Sequence, residues 1–284
     1  MDFTTRGKLS ALVALGPQLA LPQFGSKWRL GYERDMALAV AFERSLAEGR
    51  VSLTFQPIVR YDQPLILLYS EALLRVTGLP DGAGAARLIP VLERLGLVRA
   101  LDRVVVDAVL GRLESDRTAV LGCNISARSL VIDGWWLSFF DRLADDPDVA
   151  ARLTIEITET APINDFDAAV EFARRLKDLG CRISLDDFGV SYSSLAFARA
   201  LRPDVIKLDA SWLLGSWRGK PDLLMLQKLA AFCHHLAPCV VAEGVECDED
   251  MRTVFESGID WVQGNLNVSC ERVLRAKQLP HPSQ

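Results

Sequence analysis

The chain has 284 residues, of which 50% are hydrophobic and 24% are charged, and its formal net charge is −5. This composition is typical of a globular protein with a sizeable core, and an acidic chain without a basic stripe is not expected to be a general nucleic-acid or membrane-surface binder. An anionic substrate would therefore need a local positive charge, such as a metal ion.

The six cysteines include no C-x-x-C pair, and several lie inside apolar runs. We therefore expect reduced, buried thiols in a cytoplasmic protein, and neither a disulfide framework nor a zinc site. No apolar run is long enough to be a membrane span. The stretch that follows Arg6 and Lys8 faintly resembles a signal peptide, but Gly16-Pro17 interrupts it and no cleavage site follows, so we expect no signal.

Residues 1–32 have no strong period and contain several Pro and Gly residues, so we expect a short N-terminal extension there. A run of helix formers that stops at Gly49 predicts a lead helix at about 33–48. The later strands are predicted at 51–59, 64–76, 119–125, 153–158, 183–187, 205–208, 239–242 and 261–263. The later helices are predicted at 85–97, 99–114, 135–144, 166–179, 223–236 and 249–257, with a short helix ending at Leu201.

Strands that alternate with helices about eight times specify parallel βαβ units. Over a chain of 284 residues, eight units favour a closed α/β barrel over an open doubly wound sheet. A single hydrophobic core and the lack of a linker predict one barrel domain at 33–284.

Polar side chains lie in or just after separate predicted strands. They are Glu71, Asn124, Glu156, Asp186, Asp187, Lys207, Glu243 and Gln263. In a parallel barrel the carboxyl ends of the strands converge on one face, where the active sites of this architecture lie. A single acid after a strand is more often a helix cap or a solvated loop residue. Oxygen donors on so many strands, together with one lysine, are much harder to explain as caps.

Asp186 and Asp187 end an apolar run, where adjacent carboxylates repel each other and lose hydration. A cation would offset that cost. Carboxylate and amide oxygens, without His or Cys, suit Mg²⁺ or Mn²⁺, and the acids outnumber the needs of one ion. The pattern predicts two ions that share the Asp pair, as in phosphodiester cleavage, with Lys207 orienting water or meeting phosphate charge.

The chain resembles the EAL-domain phosphodiesterases of bacterial cyclic-di-GMP signalling over about residues 51–264, through nine motifs in order. These are F-Q-P-I-V (55–59), E-A-L-L-R (71–75), N-I-S (124–126), E-I-T-E (156–159), D-D-F-G (186–189), Y-S-S-L (192–195), K-L-D (207–209), A-E-G-V-E (242–246) and Q-G (263–264). The resemblance implies a modified TIM barrel with one antiparallel strand. It also implies hydrolysis of one phosphodiester of cyclic-di-GMP to linear pGpG.

The resemblance further implies a role for each matching residue. Glu71, Asn124, Glu156 and Asp186 would hold the first metal ion, and Asp186, Asp187 and Glu243 the second. Lys207 would position the attacking water, with Glu243 as a candidate base and Gln263 in contact with water or substrate. Gln56 and Arg75 match substrate-binding positions. Glu159 matches a residue that steadies the loop after Asp187, to which Gly189 belongs, and Glu246 matches one that supports the site from the seventh strand. A homodimer is also implied.

Two departures from the family pattern bear on turnover. Val190 and Ser191 stand where the family has T-G, so the loop loses a glycine that tolerates positive φ. Asn265 stands where an aromatic residue is usual, and a later proline is also missing. These departures keep open a second hypothesis, a catalytically weak or inactive cyclic-di-GMP receptor that acts through a protein partner. A barrel glycosidase with a carboxylate pair is a third hypothesis, which the adjacent acids and Lys207 fit poorly.

Three other features are expected to be structural. His234-His235 predicts a surface or helix-end role, because adjacent residues on a helix face different ways. Trp135-Trp136 predicts a core or subunit-contact helix rather than a platform for stacked bases. The acids around Pro147 predict a solvated turn.

Overall fold

The structure is a computed structural model that describes residues 26–158, 163, 165–190, 195–214 and 222–265. Most of the expected N-terminal extension lies outside the described residues, as do Glu159 and Ser191. The described residues fall into two compact units. One lies within Met1–Thr54 and Leu73–Ala108, and the other lies within Phe55–Ala72 and Val109–Gln284.

The first unit contains helix α1 (Ser26–Ala47) and helix α2 (Ala85–Arg94), with a 3₁₀ turn at Pro80–Gly82. Helix α1 begins before the predicted start at residue 33, because no proline interrupts the residues between. It ends before Gly49, which has a φ of 70°. A two-pronged ion pair joins the two helices, with Arg94 Nε and Nη2 each 2.9 Å from a carboxylate oxygen of Asp35.

Eight strands form a closed barrel in chain order. Strands β2 to β8 pair in parallel, whereas β1 pairs antiparallel with β8 through Val59 and Val262. The prediction of a modified TIM barrel with one antiparallel strand is therefore confirmed. The strands are β1 (Val51–Arg60), β2 (Leu67–Val76), β3 (Leu121–Ser126), β4 (Leu153–Thr158), β5 (Arg182–Phe188), β6 (Val205–Leu208), β7 (Cys239–Ala242) and β8 (Trp261–Val262).

Aspartates begin several of the helices between the strands. The side chains of Asp133, Asp165 and Asp222 each accept a hydrogen bond from a backbone N–H of the helix that follows, as good N-caps do. These acids stabilise helix ends and belong to a different class from the acids inside the barrel. The helices are α3 (Val98–Ser115), α4 (Gly134–Asp145), α5 (Pro147–Ala151), α6 (Phe166–Asp178), α7 (Leu195–Leu201), α8 (Ser211–Leu214), α9 (Leu223–His234) and α10 (Asp248–Ser257).

The prediction of a solvated turn around Pro147 is wrong. Pro147 opens the short helix α5, and the Asp146 side chain caps it by accepting from Val149 N at 3.3 Å. Proline at the first position of a helix costs nothing, because its missing N–H would have no partner there.

The barrel interior is layered, with an apolar plug below a polar layer. Ile58, Tyr69, Val205 and Val241 are buried together in the plug. Two residues further along the chain from Tyr69, Val205 and Val241 come Glu71 in β2, Lys207 in β6 and Glu243 directly after β7. The plug therefore forms the floor of the polar layer.

The features expected to be structural have ordinary environments. Trp136 is buried against Phe172 at 4.7 Å between ring centroids, so it belongs to the core. The rings of His234 and His235 are exposed and contact the carbonyl oxygens of Gly258 and Ala231, as expected near a helix end.

The cysteines match the expectation in part. Cys123, Cys181 and Cys233 are buried, whereas Cys239 is half-buried and Cys247 is exposed. Among the described residues, no helix combines the length and the apolar character that crossing a membrane requires.

Candidate active site

Lys207 lies at the centre of the polar layer and contacts four carboxylates. Its Nζ atom is 2.9 Å from Glu71, 2.8 Å from Glu156, 3.2 Å from Asp186 and 2.7 Å from Glu243. The Lys207 side chain is completely buried, and so is Glu156. The strands β2, β4, β5, β6 and β7 thus bring five ionisable groups to one point, as predicted from their positions after the strands.

One ammonium does not neutralise this cluster. Burial alone would lower the pKa of Lys207, but the surrounding carboxylates hold it well above its usual value. Burial and the negative charge of Glu71 raise the pKa of Glu156 well above its usual value, despite Lys207. Burial opposes the ionisation of Glu71, yet the charge of Lys207 and a hydrogen bond from Gln263 lower the Glu71 pKa. The acids therefore compete for a single positive charge.

Amide side chains orient Glu71 from two sides. Asn124 Nδ2 donates to Glu71 Oε1, and Gln263 Nε2 donates to Glu71 Oε2. Gln263 Nε2 also lies 3.1 Å from Gln56 Oε1, and Gln56 Nε2 lies 3.5 Å from Asn265 Oδ1. A chain of amides thus runs from the buried acid to the exposed Asn265.

Asp187 reaches the cluster only because the backbone of β5 is irregular. Neighbouring residues of a regular strand point to opposite faces, so Asp186 and Asp187 would diverge. However, the register between β5 and β6 shifts between Leu185 and Phe188, and Asp187 has a φ of 54°. Such a bulge redirects a side chain at the end of a strand.

The acids form two groups that share Asp186. Carboxylate oxygens of Glu71, Glu156 and Asp186 lie within 4.8 Å of one another, and we call these residues the first acid group. Oxygens of Asp186, Asp187 and Glu243 satisfy the same limit, and we call these residues the second acid group.

Asp187 and Glu243, which belong to the second acid group alone, both have raised pKa values. Burial, followed by the charge of Asp186, raises the pKa of Asp187 to about 6 and that of Glu243 to about 8. Close carboxylates raise each other's pKa in this way, and the charge of Lys207 offsets only part of the effect here.

The donor set fits divalent cations. Asn124 Oδ1 and Glu156 Oε1 are buried and accept no hydrogen bond from any described residue. Buried oxygens without donors are costly unless a cation binds them. Five carboxylates and one ammonium would leave four negative charges when all are ionised, which two divalent ions would balance. Hard oxygen donors of this kind favour Mg²⁺ or Mn²⁺.

Three residues from the sequence prediction lie outside this cluster. Arg75 is exposed, and its guanidinium donates to the Leu74 carbonyl oxygen. Glu246 is exposed and contacts Asn265 at 3.4 Å rather than any acid of the cluster. Gly189, with a φ of 90°, lies against the indole of Trp212.

Sequence reasoning missed the contribution of Gly122. A Cβ atom at Gly122 would lie 2.5 Å from Tyr69 Cε2 and 2.7 Å from Glu156 Oε1. This glycine therefore makes room for both side chains inside the barrel. The available signal was a glycine inside an apolar strand, two residues before Asn124.

A family profile described as EAL domain matches residues 39–268. The chain belongs to the EAL domain family. It is 30% identical over 244 residues to the cyclic di-GMP phosphodiesterase NbdA of Pseudomonas aeruginosa, a match that covers 82% of this chain and 30% of that protein. The chain spans about a third or less of the length of the curated relatives it matches.

Solved EAL-domain structures share the fold. An EAL domain protein from Listeria monocytogenes is 25% identical, with a TM-score of 0.67 over 80% of this chain and 90% of that one. BlrP1 of Klebsiella pneumoniae, solved as a manganese and cyclic-di-GMP complex, is also 25% identical, with a TM-score of 0.60 over 76% of this chain and 55% of that one.

Proposed function

We propose that this EAL domain is a metal-dependent phosphodiesterase that hydrolyses one phosphodiester bond of cyclic-di-GMP to linear pGpG. The observation that carries the proposal is the convergence of two acid groups, which share Asp186, on the buried Lys207. The named activity of the relative NbdA supports the choice of substrate.

Each acid group would hold one divalent ion, Mg²⁺ or Mn²⁺. Glu71, Asn124 and Glu156 would hold the first ion, Asp187 and Glu243 the second, and Asp186 both. The bound ions would lower the pKa of an attacking water and stabilise charge on the phosphate oxygens.

Lys207, Glu243 and Gln263 are the candidates for direct roles in hydrolysis. The pKa of Lys207 is raised, so this side chain keeps its proton and acts as a fixed positive charge that orients water or phosphate. Glu243, with a pKa raised to about 8 before any ion binds, is the candidate base. The Oε1 atom of Gln263 is buried and accepts no hydrogen bond from the residues that the structure describes, so it is available to a water or a substrate hydroxyl. Gln56 and Arg75 remain the candidates for binding the dinucleotide.

The test is the release of pGpG from cyclic-di-GMP by the purified protein, with Mn²⁺, with Mg²⁺ or with EDTA. We expect product with either ion and none with EDTA. Glu71→Ala should abolish turnover, whereas Glu171→Ala, which removes an exposed acid paired with Arg174, should leave it unchanged. No pGpG at high enzyme concentration with either ion would contradict the proposal.

The second candidate function is a cyclic-di-GMP receptor with little or no turnover that acts through a protein partner. It is favoured by Asn265, whose Oδ1 atom lies near the Nε2 atom of the substrate-binding candidate Gln56, and by the exposed Val190 next to Gly189. Metal-dependent binding of cyclic-di-GMP without pGpG release would favour this function. The homodimer remains a prediction, which the molar mass in solution would test.

A further inference from the structure

The indole of Trp212 supports the turn that carries Asp187. A Cβ atom at Gly189 would lie 3.2 Å from Trp212 Cζ2 and 3.3 Å from Nε1, so the glycine leaves space that the ring fills. Val190 N donates to the Asp187 carbonyl oxygen at 3.4 Å, which closes the turn. The Trp212 Nε1 atom is buried and has no hydrogen-bond partner among the described residues. Packing is therefore what joins the described ring and turn.

Ala210 makes a similar contact with the turn after Glu243. Gly244 directly follows Glu243 and has a φ of 69°, a conformation that favours glycine. A Cβ atom at Gly244 would overlap the Ala210 methyl group. The size of the Ala210 side chain thus decides how closely the turn at Gly244 can approach residue 210.

The segment from Asp209 to Trp212 is itself held in place. Asp209 Oδ1 accepts from Ser211 N at 2.9 Å, and the Asp209 carbonyl oxygen accepts from Trp212 N at 3.1 Å. Just before it, the Leu208 carbonyl oxygen accepts from Glu243 N at 3.1 Å. The segment therefore has a fixed position relative to β6, the strand that carries Lys207.

We propose that residues 209–212 form a wedge that sets the positions of Asp187 and Glu243, and so the affinity of the second metal ion. Trp212 acts through Gly189, and Ala210 acts through Gly244, which makes both positioning residues. The proposal rests on the two-ion site proposed above. Glu71 and Glu156 do not depend on the wedge, because they lie within regular parts of β2 and β4, and only Asp186 links the first acid group to the bulge.

The test is a titration of the metal-free protein with Mn²⁺. Binding is monitored by calorimetry and by the electron paramagnetic resonance signal of unbound Mn²⁺. The wild-type protein should bind two ions. Trp212→Ala should weaken the second ion at least about tenfold, the usual effect of losing a supporting residue, and should change the first by less than about twofold. Trp212→Phe, which keeps an aromatic ring under Gly189, should recover most of the loss.

Ala210→Val tests the wedge from its other side. The larger side chain should push the turn at Gly244 outward and weaken the second ion selectively. Trp135→Ala is the matched control, because it removes another partly buried tryptophan that stacks on Phe139 in helix α4. It should leave both affinities unchanged.

Selective weakening of the second ion by both wedge variants, with recovery in Trp212→Phe, supports the proposal. Equal weakening of both ions, no change in either, or a wild-type protein that binds one ion would overturn it. The phosphodiesterase proposal fails separately, through the absence of pGpG from a protein that binds both ions. The wedge would stand in that case.

Discussion

The two acid groups are built in different ways. Glu71 and Glu156 lie on strands with regular parallel pairing, and the side-chain alternation of the strands directs them inward. Asp187 lies in a bulge with positive φ, and Glu243 follows the last residue of β7, directly before a glycine with positive φ. Asp186 belongs to both groups.

The difference indicates which part of the site is rigid and which is adjustable. The paired strands of a closed barrel do not move independently, so Glu71 and Glu156 of the first acid group inherit the stiffness of the sheet. Turns depend on a few local contacts and have lower local stability. We therefore expect the second acid group to respond more strongly to substitutions around it.

The largest effect is expected from Asp186→Ala, which breaks both groups at once. Losing a shared metal ligand should lower kcat/KM at least roughly a thousandfold, or about 4 kcal/mol of transition-state stabilisation. The measurement is the rate of pGpG release at saturating Mn²⁺. Activity within tenfold of wild type would contradict the assignment of Asp186 to both groups.

Lys207→Met should destabilise the metal-free protein by about 3 kcal/mol, because removing one partner from a buried ion-pair cluster leaves the other charges uncompensated. Urea unfolding in EDTA measures this loss. Lys228→Met, at an exposed position on helix α9, is the control and should cost nothing measurable. Adding Mn²⁺ should stabilise Lys207→Met more than wild type, and equal stabilisation would contradict the view of Lys207 as a counter-ion.

Gly122→Ala should disturb the first acid group alone. Its methyl group would contact the Tyr69 ring and Glu156, and overpacking of this kind costs about 2 kcal/mol. Thermal unfolding and Mn²⁺ titration together measure the loss of stability and the weaker first ion. Gly111→Ala, in helix α3 where nothing lies within 4 Å of the added atom, should be neutral or stabilising.

Glu243→Gln tests the second acid group through the pH dependence of stability. The folded protein raises the pKa of Glu243 to about 8, so it binds a proton more tightly than the unfolded chain between the ordinary carboxyl pKa and 8. The free energy of unfolding of the metal-free protein should therefore fall as pH rises through this window. Glu243→Gln should flatten that dependence in urea unfolding between pH 5.5 and 8.5, and an unchanged slope would assign the titration elsewhere.

Much of this organisation could be predicted from the sequence, because it depends on local patterns. The alternation of apolar runs and helical stretches predicted the barrel, and the polar residues at strand ends predicted the cluster around Lys207. The side-by-side placement of Asp186 and Asp187 could not be derived, since the bulge depends on pairing with β6, some twenty residues away. The space left by Gly122 is filled by Tyr69, which lies much earlier in the chain. The glycine itself is visible in the strand pattern, but the distant side chain for which it makes room is not.

Lys207 also bears on the order in which the protein is assembled. Small zinc domains stay unfolded until their ion arrives, because nothing else holds their ligands together. Here the chain brings its own ammonium to the buried acids, so we expect the barrel to fold in the absence of metal. If the site binds two ions as proposed, the metal supply would set the fraction of folded molecules that are active. The amount of folded protein would not depend on the metal supply.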